Sequence, residues 1–404
     1  MDAKKLGAKI RSERNRLGLT QDIVEKRLEL PQKALTRMES GERPPSSLEL
    51  VKLAEVFHVS VGSFFNEEAT DDPLVALHRA APGLEKDPVI REEVYRCLNL
   101  CREGIALEKL LTRPSRQRFS VQSSHMPLTT LEAIKQGEEA GRYERNRLGL
   151  GIGVIHDIAG LISSQGIWCA ATNLPEGMSG LFLSNQSIGM AILVNANHVK
   201  MRQRFSYAHE YAHALLDTDH PVLVSEIENA RKLIEQRANA FAAAFLLPEE
   251  GIAEVMKNLN KGAPSRISFC FYDVSTEEMI EGEERQLAKS QKILPQDVAT
   301  IAHRFGVSYE AVVYRLHTLR YLSKESRETL LKQKEEGNQF LRLFFLEDSD
   351  ERPQECVMFQ FTADLSRLIL EAYRQEKISR GRVIELSKLL RLHPQDLLNL
   401  ASDE

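Results

Sequence analysis

The chain has 404 residues, 42% of them hydrophobic, with 22 glycines and 15 prolines, which is enough for two or more globular units and excludes general disorder. A formal net charge of -5 excludes a surface coated uniformly in positive charge. It leaves room for one small module whose local surface attracts phosphate. Residues 1–66 read as such a compact helical module. MDAKKLGAKIRSERNRLGLT sets Leu6, Ile10 and Leu17 in a stripe beside Lys4, Lys5, Lys9, Arg11, Arg14 and Arg16. Thr20 is placed to cap the next helix, QDIVEKRL, with Asp22 favourable in its first turn. A turn at Glu29 and Leu30 leads into PQKALTRMESG, where Pro31 suits a helix start and Gly41 a helix stop. SSLELVKLAEVFHVSVGSFF supplies further helices that close the core.

A short helix, a tight turn and a second short helix form a helix-turn-helix pattern. The stretch LGLTQDIVEKRLELPQKALTRMESGERPPSSLELVKLAEVFHVSVGSFF resembles the DNA-binding domain of phage-repressor-like regulators. That resemblance implies a five-helix-type module and a double-stranded DNA operator as partner. It sets Gln21 on phosphate at the start of the second helix, Gln32, Lys33, Thr36 and Arg37 toward the major groove, and Arg43 on the backbone. Paired modules of this kind match repeated half-sites, which makes a homodimer a natural assembly, though no coiled coil marks one. Two positions depart from the family pattern. Glu25 stands where a small alanine is usual, putting charge near a tight helix crossing, and Glu29 stands where the turn usually has glycine. A protein-interaction or dimerisation module is the alternative reading.

Residues 67–130 are expected to be a linker and helical connector: acidic EEATDDP, a break at Pro82 and Gly83, then a long helix from Asp87 to Leu111 whose polar face is solvated. The loop after that helix carries Arg113, Arg116 and Arg118. A further helical pattern begins near Leu131 and includes EEAGRYERNRLGLG; Gly149 and Gly151 mark a turn, and VIHDIAGLISSQG makes another helix. IWCAATNL, GLFLS and GMAILVN read as short strands. Their small sheet would give a rigid wall to the next helix, or accept a substrate segment as an added strand.

RFSYAHEYAHALL, Arg204 to Leu216, places His209 and His213 one turn apart on one helix face, which is metal-ligand spacing. Glu210 comes directly after the first histidine, where a carboxylate can take a proton from water without occupying a coordination position. A histidine pair at this spacing also arises on ordinary partly buried helices. The next apolar helix, IEQRANAFAAAFLLP, tips the balance: Glu235 precedes Asn239 by one turn, so the helix can deliver a third ligand and a polar supporting group from one side. Three protein ligands leave a fourth position for water, as hydrolytic Zn2+ requires, although other divalent metals remain open.

ERNRLGLG, the strand region, RFSYAHEYAHALL and EQRANAFAAAFLLP, in that order, resemble the bacterial ImmA/IrrE-type zinc metallopeptidase family of phage-immunity and radiation-response regulators. The resemblance implies an α+β zincin-like peptidase domain over 131–325, with His209, His213 and Glu235 as zinc ligands and Glu210 as catalytic base. Tyr211 and Ala212 replace the usual aliphatic residue and glycine, and neither change removes a ligand. Tyr207 and His220 are candidates to steady a developing oxyanion, on proximity in sequence alone.

Beyond Pro248, LPQDVATIAHRFGVSYEAVVYRLHTLRYL echoes ELVKLAEVFHVSVGSFF upstream and GRVIELSKLLRLHPQDLLNL downstream, so three local repeats of helix, turn and helix are expected, without implying three DNA-binding domains. Residues 326–404 form a helical accessory region whose role the sequence leaves open. The expected protein is thus multidomain and mainly α. Its five cysteines are scattered and odd in number, which favours reduced thiols. No N-terminal apolar signal segment and no run near 20 apolar residues occurs, so a cytoplasmic protein without membrane association is expected. The functional expectation is a DNA-associated zinc endopeptidase that cleaves a repressor-like protein to alter transcription. The alternative is a non-enzymatic transcription regulator, or a toxin-antitoxin or phage-response binding protein, that uses the metal domain as a sensor.

Overall fold

The N-terminal module is assembled from helices whose ends are satisfied by nearby side chains. In the computed structural model, α1 (Ala3–Arg16), α2 (Gln21–Arg27), α3 (Ala34–Ser40) and α4 (Ser47–Val56) precede a 3-10 turn at Val61–Phe64. The structure describes residues 2–65, 77, 84, 87–112, 125–220, 222–226, 232–262, 266–273, 275, 277–285, 287, 290–344 and 359–402; Arg113, Arg116, Arg118 and Cys356 lie outside them. The Thr20 hydroxyl accepts the Ile23 N–H at 3.3 Å. Ser46 and Glu49 form a reciprocal capping box. Gly41 stops α3 in the left-handed region at φ 77°.

The two unusual glutamates of this module have different outcomes. Glu29 adopts the left-handed turn conformation at φ 54° that the usual glycine would take without strain. Glu25 is buried, and its carboxylate accepts the N–H groups of Lys33 at 3.1 Å and Leu35 at 2.9 Å. Lys33 occupies the N-cap of α3 and offers no capping side chain, so a residue from α2 takes that role.

The helix expected to be a partly solvated connector is a core element. α5 (Pro88–Leu110) starts at the Asp87 cap and buries Val94, Tyr95, Cys97, Leu98, Leu100 and Cys101. Its polar groups bind the N-terminal module: the Tyr95 O–H donates to buried Glu13, Glu92 pairs with Arg27 at 3.0 Å, and the Asn99 amide donates to the His58 carbonyl at 3.0 Å.

Four strands, β1 (Trp168–Thr172), β2 (Met178–Asn185), β3 (Gly189–Asn195) and β4 (Val222–Glu226), form a sheet in the order β1-β3-β2-β4. β1 runs parallel to β3, and the other pairs are antiparallel. The two-residue period divides the core. Trp168, Ala170, Leu181, Leu183 and Leu193 join one apolar cluster with the N-terminal module and α5. Cys169, Ala171, Phe182, Ile192 and Val194 face the other. That second cluster is closed by α6 (Thr130–Arg147), α7 (Ile158–Ser164), α8 (Lys200–Leu216), α9 (Leu233–Leu246), α10 (Glu249–Asn258), α11 (Pro295–Phe305), α12 (Tyr309–Thr318), α13 (Lys324–Lys332) and α14 (Lys334–Phe344). A hairpin of β5 (Arg266–Asp273) and β6 (Glu278–Arg285) stands apart from the sheet.

The C-terminal bundle, α15 (Phe359–Arg374), α16 (Arg380–Leu389) and α17 (Pro394–Ser402), packs into the first cluster. Glu385 accepts the Val61 N–H at 2.6 Å, Lys388 pairs with Glu55 at 2.5 Å, and Phe361 lies 5.2 Å from Trp168 between ring centroids. This bundle therefore bridges the N-terminal module and β1. The three expected repeats each turn on a left-handed residue: His58, Gly306 and Arg391, at φ 52°, 64° and 58°. The fold is a mainly helical multidomain architecture with an N-terminal helix-turn-helix region, a central α+β region and a C-terminal helical bundle. Among the described residues, no helix is long and apolar enough to cross a membrane.

Candidate metal centre

Two helices and a strand converge on the HEYAH segment. α8 lies against β2 and α9, its Ala208 and Ala212 fully buried, so the polar stripe at 209, 210 and 213 is pressed into the interior. α9 approaches from the other side because α6 holds it tightly. A Cβ on Gly137 of α6 would come within 2.2 Å of the Arg237 carbonyl, and one on Gly141 within 3.0 Å of Ala244.

His209, His213 and Glu235 meet with ligand atoms all within 4.8 Å of one another, and all three residues are buried. His209 Nε2 is 3.1 Å from Glu235 Oε2, and His213 Nε2 is 3.6 Å from Glu235 Oε1. The far side of each ring is fixed: His209 Nδ1 lies 3.0 Å from Asn239 Oδ1, and His213 Nδ1 lies 2.8 Å from Asp217 Oδ2. Both partners are acceptors, so each Nδ1 carries the proton and each Nε2 presents a lone pair inward. The two Nε2 atoms are 3.2 Å apart. Two lone pairs and a carboxylate aimed at one point repel unless a cation lies among them, so this donor set fits a divalent metal. The balance at His209 agrees. Burial alone would lower its pKa, but the carboxylates of Glu235 and Glu210 outweigh it, so the surroundings favour positive charge at this point.

Glu210 is fully buried, and neither carboxylate oxygen has a hydrogen-bond partner among the described residues. Burial raises its pKa, against the opposing pull of His209 and His213. It lies under β2, where a Cβ on Gly180 would come within 2.6 Å of Glu210 Oε1. Gly180 pairs with Ser225 of β4, whose buried hydroxyl is the polar neighbour of Glu210 and favours its ionised form. An unpaired buried carboxylate is costly unless a ligand or water uses it.

The remaining candidates separate. Asn239 supports His209. Tyr207 is buried in the second apolar cluster, where burial drives its hydroxyl well above the ordinary phenol range, and it makes no hydrogen bond to the metal donors among the described residues. His220 sits exposed on the turn after α8. Sequence reasoning missed Asp217, Arg237 and Gln136: Asp217 also binds Arg237, whose guanidinium donates to Gln136 at 3.2 Å. Only the one-turn spacing of His213 and Asp217 could have signalled this.

In the N-terminal module, Gln32, Lys33, Thr36 and Arg37 are exposed around the start of α3. Gln21 is engaged internally, donating to Glu39 at 2.7 Å and accepting from Thr36 at 3.0 Å. Arg43 pairs with Glu49 at 2.6 Å.

Comparison with known proteins matches the Helix-turn-helix family over residues 10–64 and the IrrE N-terminal-like domain family over residues 162–317. The radiation response metalloprotease IrrE of Deinococcus radiodurans is similar to this chain at 41% identity over 71 residues, 16% of this chain and 22% of that protein. The match thus spans under a quarter of that relative's length.

Proposed function

From a chain that joins an N-terminal helix-turn-helix domain to an IrrE-like domain, we propose a DNA-associated, zinc-dependent endopeptidase that cleaves a repressor or other regulatory protein. The observation that carries this reading is Glu210, a buried carboxylate without a hydrogen-bond partner among the described residues, beside three convergent metal donors. A sensor needs the three donors but has no use for a second carboxylate beside Glu235.

His209, His213 and Glu235 would hold the ion, and Asn239 and Asp217 keep the two rings in the tautomer that ligation needs. When bound, Zn2+ supplies a Lewis acid for water and for the scissile carbonyl. Glu210 accepts the proton from the attacking water and returns it to the leaving amine, beside the three donors without being one of them. The helix-turn-helix domain would hold this chemistry at an operator, with Gln32, Lys33, Thr36 and Arg37 toward the major groove and Arg43 and Gln21 near the backbone. Gln21 acts there chiefly by orienting Thr36. Tyr207 and His220 have no contact that favours an oxyanion role.

The test compares wild type with Glu210→Gln for metal content and for cleavage of candidate repressors encoded beside this chain. Equal zinc with cleavage by wild type alone supports the reading. Equal zinc with equal cleavage removes Glu210 from the chemistry, and no specific metal binding removes the centre.

A further inference from the structure

A cleft of 880 Å3 opens between α8, α9, α12 and α14, and it shares a wall with the candidate centre. The shared wall is Asn239, the hydrogen-bond partner of His209 Nδ1. On α8, Phe205 and Arg202 line the cleft one and two turns before His209, on the same stripe of that helix. The cleft therefore runs along α8 up to the Asn239–His209 contact, on the Nδ1 side of that ring, and the metal donors lie beyond it.

Its lining is mainly apolar, from Phe205, Ala243, Ala311, Tyr314 and Leu341. Tyr314 is 53% exposed, a large side chain turned to solvent from an otherwise packed helix. The volume lies within the range of pockets that bury an ordered ligand, about 300–1,000 Å3. The rim is cationic. Arg202 is exposed and makes no ion pair among the described residues. Arg342 reaches Glu335 only at 3.6 Å, with both side chains at least 70% exposed, so that pair neutralises little. Lys334 and Glu310 pair with each other, and Arg315 is buried against Glu138.

We propose that this cleft is a docking site beside the metal centre, receiving a segment of the substrate polypeptide that carries a bulky apolar side chain flanked by carboxylates. The apolar residue seats against Tyr314 and Leu341, and the acidic flank meets Arg202 and Arg342. The inference rests on the hydrolytic reading above for calling the bound polypeptide a substrate, while the binding itself does not need hydrolysis.

The test uses the full chain, zinc-loaded and carrying Glu210→Gln, with three fluorescein-labelled dodecapeptides read by anisotropy. One has a central Leu flanked by Glu, one has Gly in place of Leu, and one has Lys in place of the flanking Glu. The first should bind about tenfold or more tighter than the Gly peptide, as expected for filling an apolar pocket. Reversing the rim with Arg202→Glu should narrow the Glu-over-Lys preference by about twofold to fivefold. Tyr314→Glu should erase the advantage of Leu. Both positions are exposed, and unchanged zinc content verifies the fold. Equal binding of all three peptides, or a Leu preference that survives Tyr314→Glu, overturns the proposal. So does sedimentation showing that wild type self-associates and Tyr314→Glu abolishes this, because the cleft would then be a contact between copies. A wild type that binds the first peptide as expected yet cuts no peptide counts against hydrolysis and leaves the cleft assignment standing.

Discussion

His213 gives its Nδ1 to Asp217 Oδ2 at 2.8 Å, one turn along α8, and the other Asp217 oxygen is held by the fully buried guanidinium of Arg237. This chain of contacts fixes the ring of one candidate ligand and ties α8 to α9, the two helices that must stay in register for the donors to converge. Asp217→Asn should weaken zinc affinity by about 10- to 100-fold, the usual cost of losing such a support. A competition titration with a zinc chelator on the folded protein reads this directly. Asp217→Ala should do further damage, because an uncompensated buried charge at Arg237 costs about 3–5 kcal/mol of stability. Equal zinc affinity in wild type and Asp217→Asn would remove Asp217 from the site.

Gly180 and Glu210 form a tight approach between sheet and helix at the site. A methyl group at 180 would lie 2.6 Å from Glu210 Oε1 and 3.0 Å from its Cγ. Gly180→Ala should therefore displace the carboxylate while leaving the three donors in place. Hydrolysis is expected to fall by about a hundredfold, the scale of a misplaced reacting group, with zinc content unchanged. Parallel metal analysis and peptide cleavage would check it. Loss of zinc together with activity would mean that the sheet position serves the fold and not Glu210.

These residues also show what a sequence can carry. His209, Glu210 and His213 share one helical turn, so their relation is local and readable, and Glu235 and Asn239 share another. Asp217 stands at the same one-turn spacing, but an aspartate after an apolar helix reads equally well as a solvated end. β4 is only five residues long, Val222 to Glu226, too short for alternation to distinguish it from a loop. The C-terminal bundle cannot be placed from sequence because its anchors are tertiary: Val61 and Glu385 are 324 positions apart, and neither residue type is unusual where it stands. α5 reads as partly solvated for a related reason. Its Arg96 and Asn99 look like surface residues, yet they are buried, donating to the carbonyls of Leu389 and His58.

Glu25 offers a test of the N-terminal module that is independent of the metal. Its carboxylate satisfies two N–H groups at the start of α3, where a family-typical alanine would satisfy none. Glu25→Ala should destabilise the module by about 1–3 kcal/mol, combining a lost cap with newly unsatisfied buried donors. Glu25→Gln keeps an acceptor and should fall between. Denaturant unfolding monitored by circular dichroism would show the order wild type, Gln, Ala. An Ala variant as stable as wild type would mean that water replaces the cap at no cost.

On the face proposed to meet DNA, Lys33 and Arg37 are both exposed, one at the N-cap of α3 and the other a turn further along it. If Arg37 reads a base edge, Arg37→Ala should cost about 1–3 kcal/mol at the preferred operator and flatten the preference between sites. Lys33→Ala should weaken all sequences alike and reduce the salt dependence of binding, as a phosphate contact does. Footprinting followed by anisotropy on matched and scrambled duplexes distinguishes the two. Identical losses on every duplex for both variants would leave the module a non-specific DNA holder.

The convergence of His209, His213 and Glu235 lets the proposed metal binding be tested through the stability of the central region. Two facing Nε2 lone pairs and a buried carboxylate are a repulsive arrangement without a cation, and an ion that binds only the folded chain stabilises it by mass action. Zinc at about a hundredfold excess over its dissociation constant should add roughly 2.7 kcal/mol, seen as a rise in the melting temperature. His209→Ala and His213→Ala should lose that rise, and Glu210→Gln should keep it, because Glu210 lies outside the donor triad. A Glu210→Gln protein that no longer responds to zinc would instead make Glu210 a ligand, and the assignment of its carboxylate to proton transfer would fall with it.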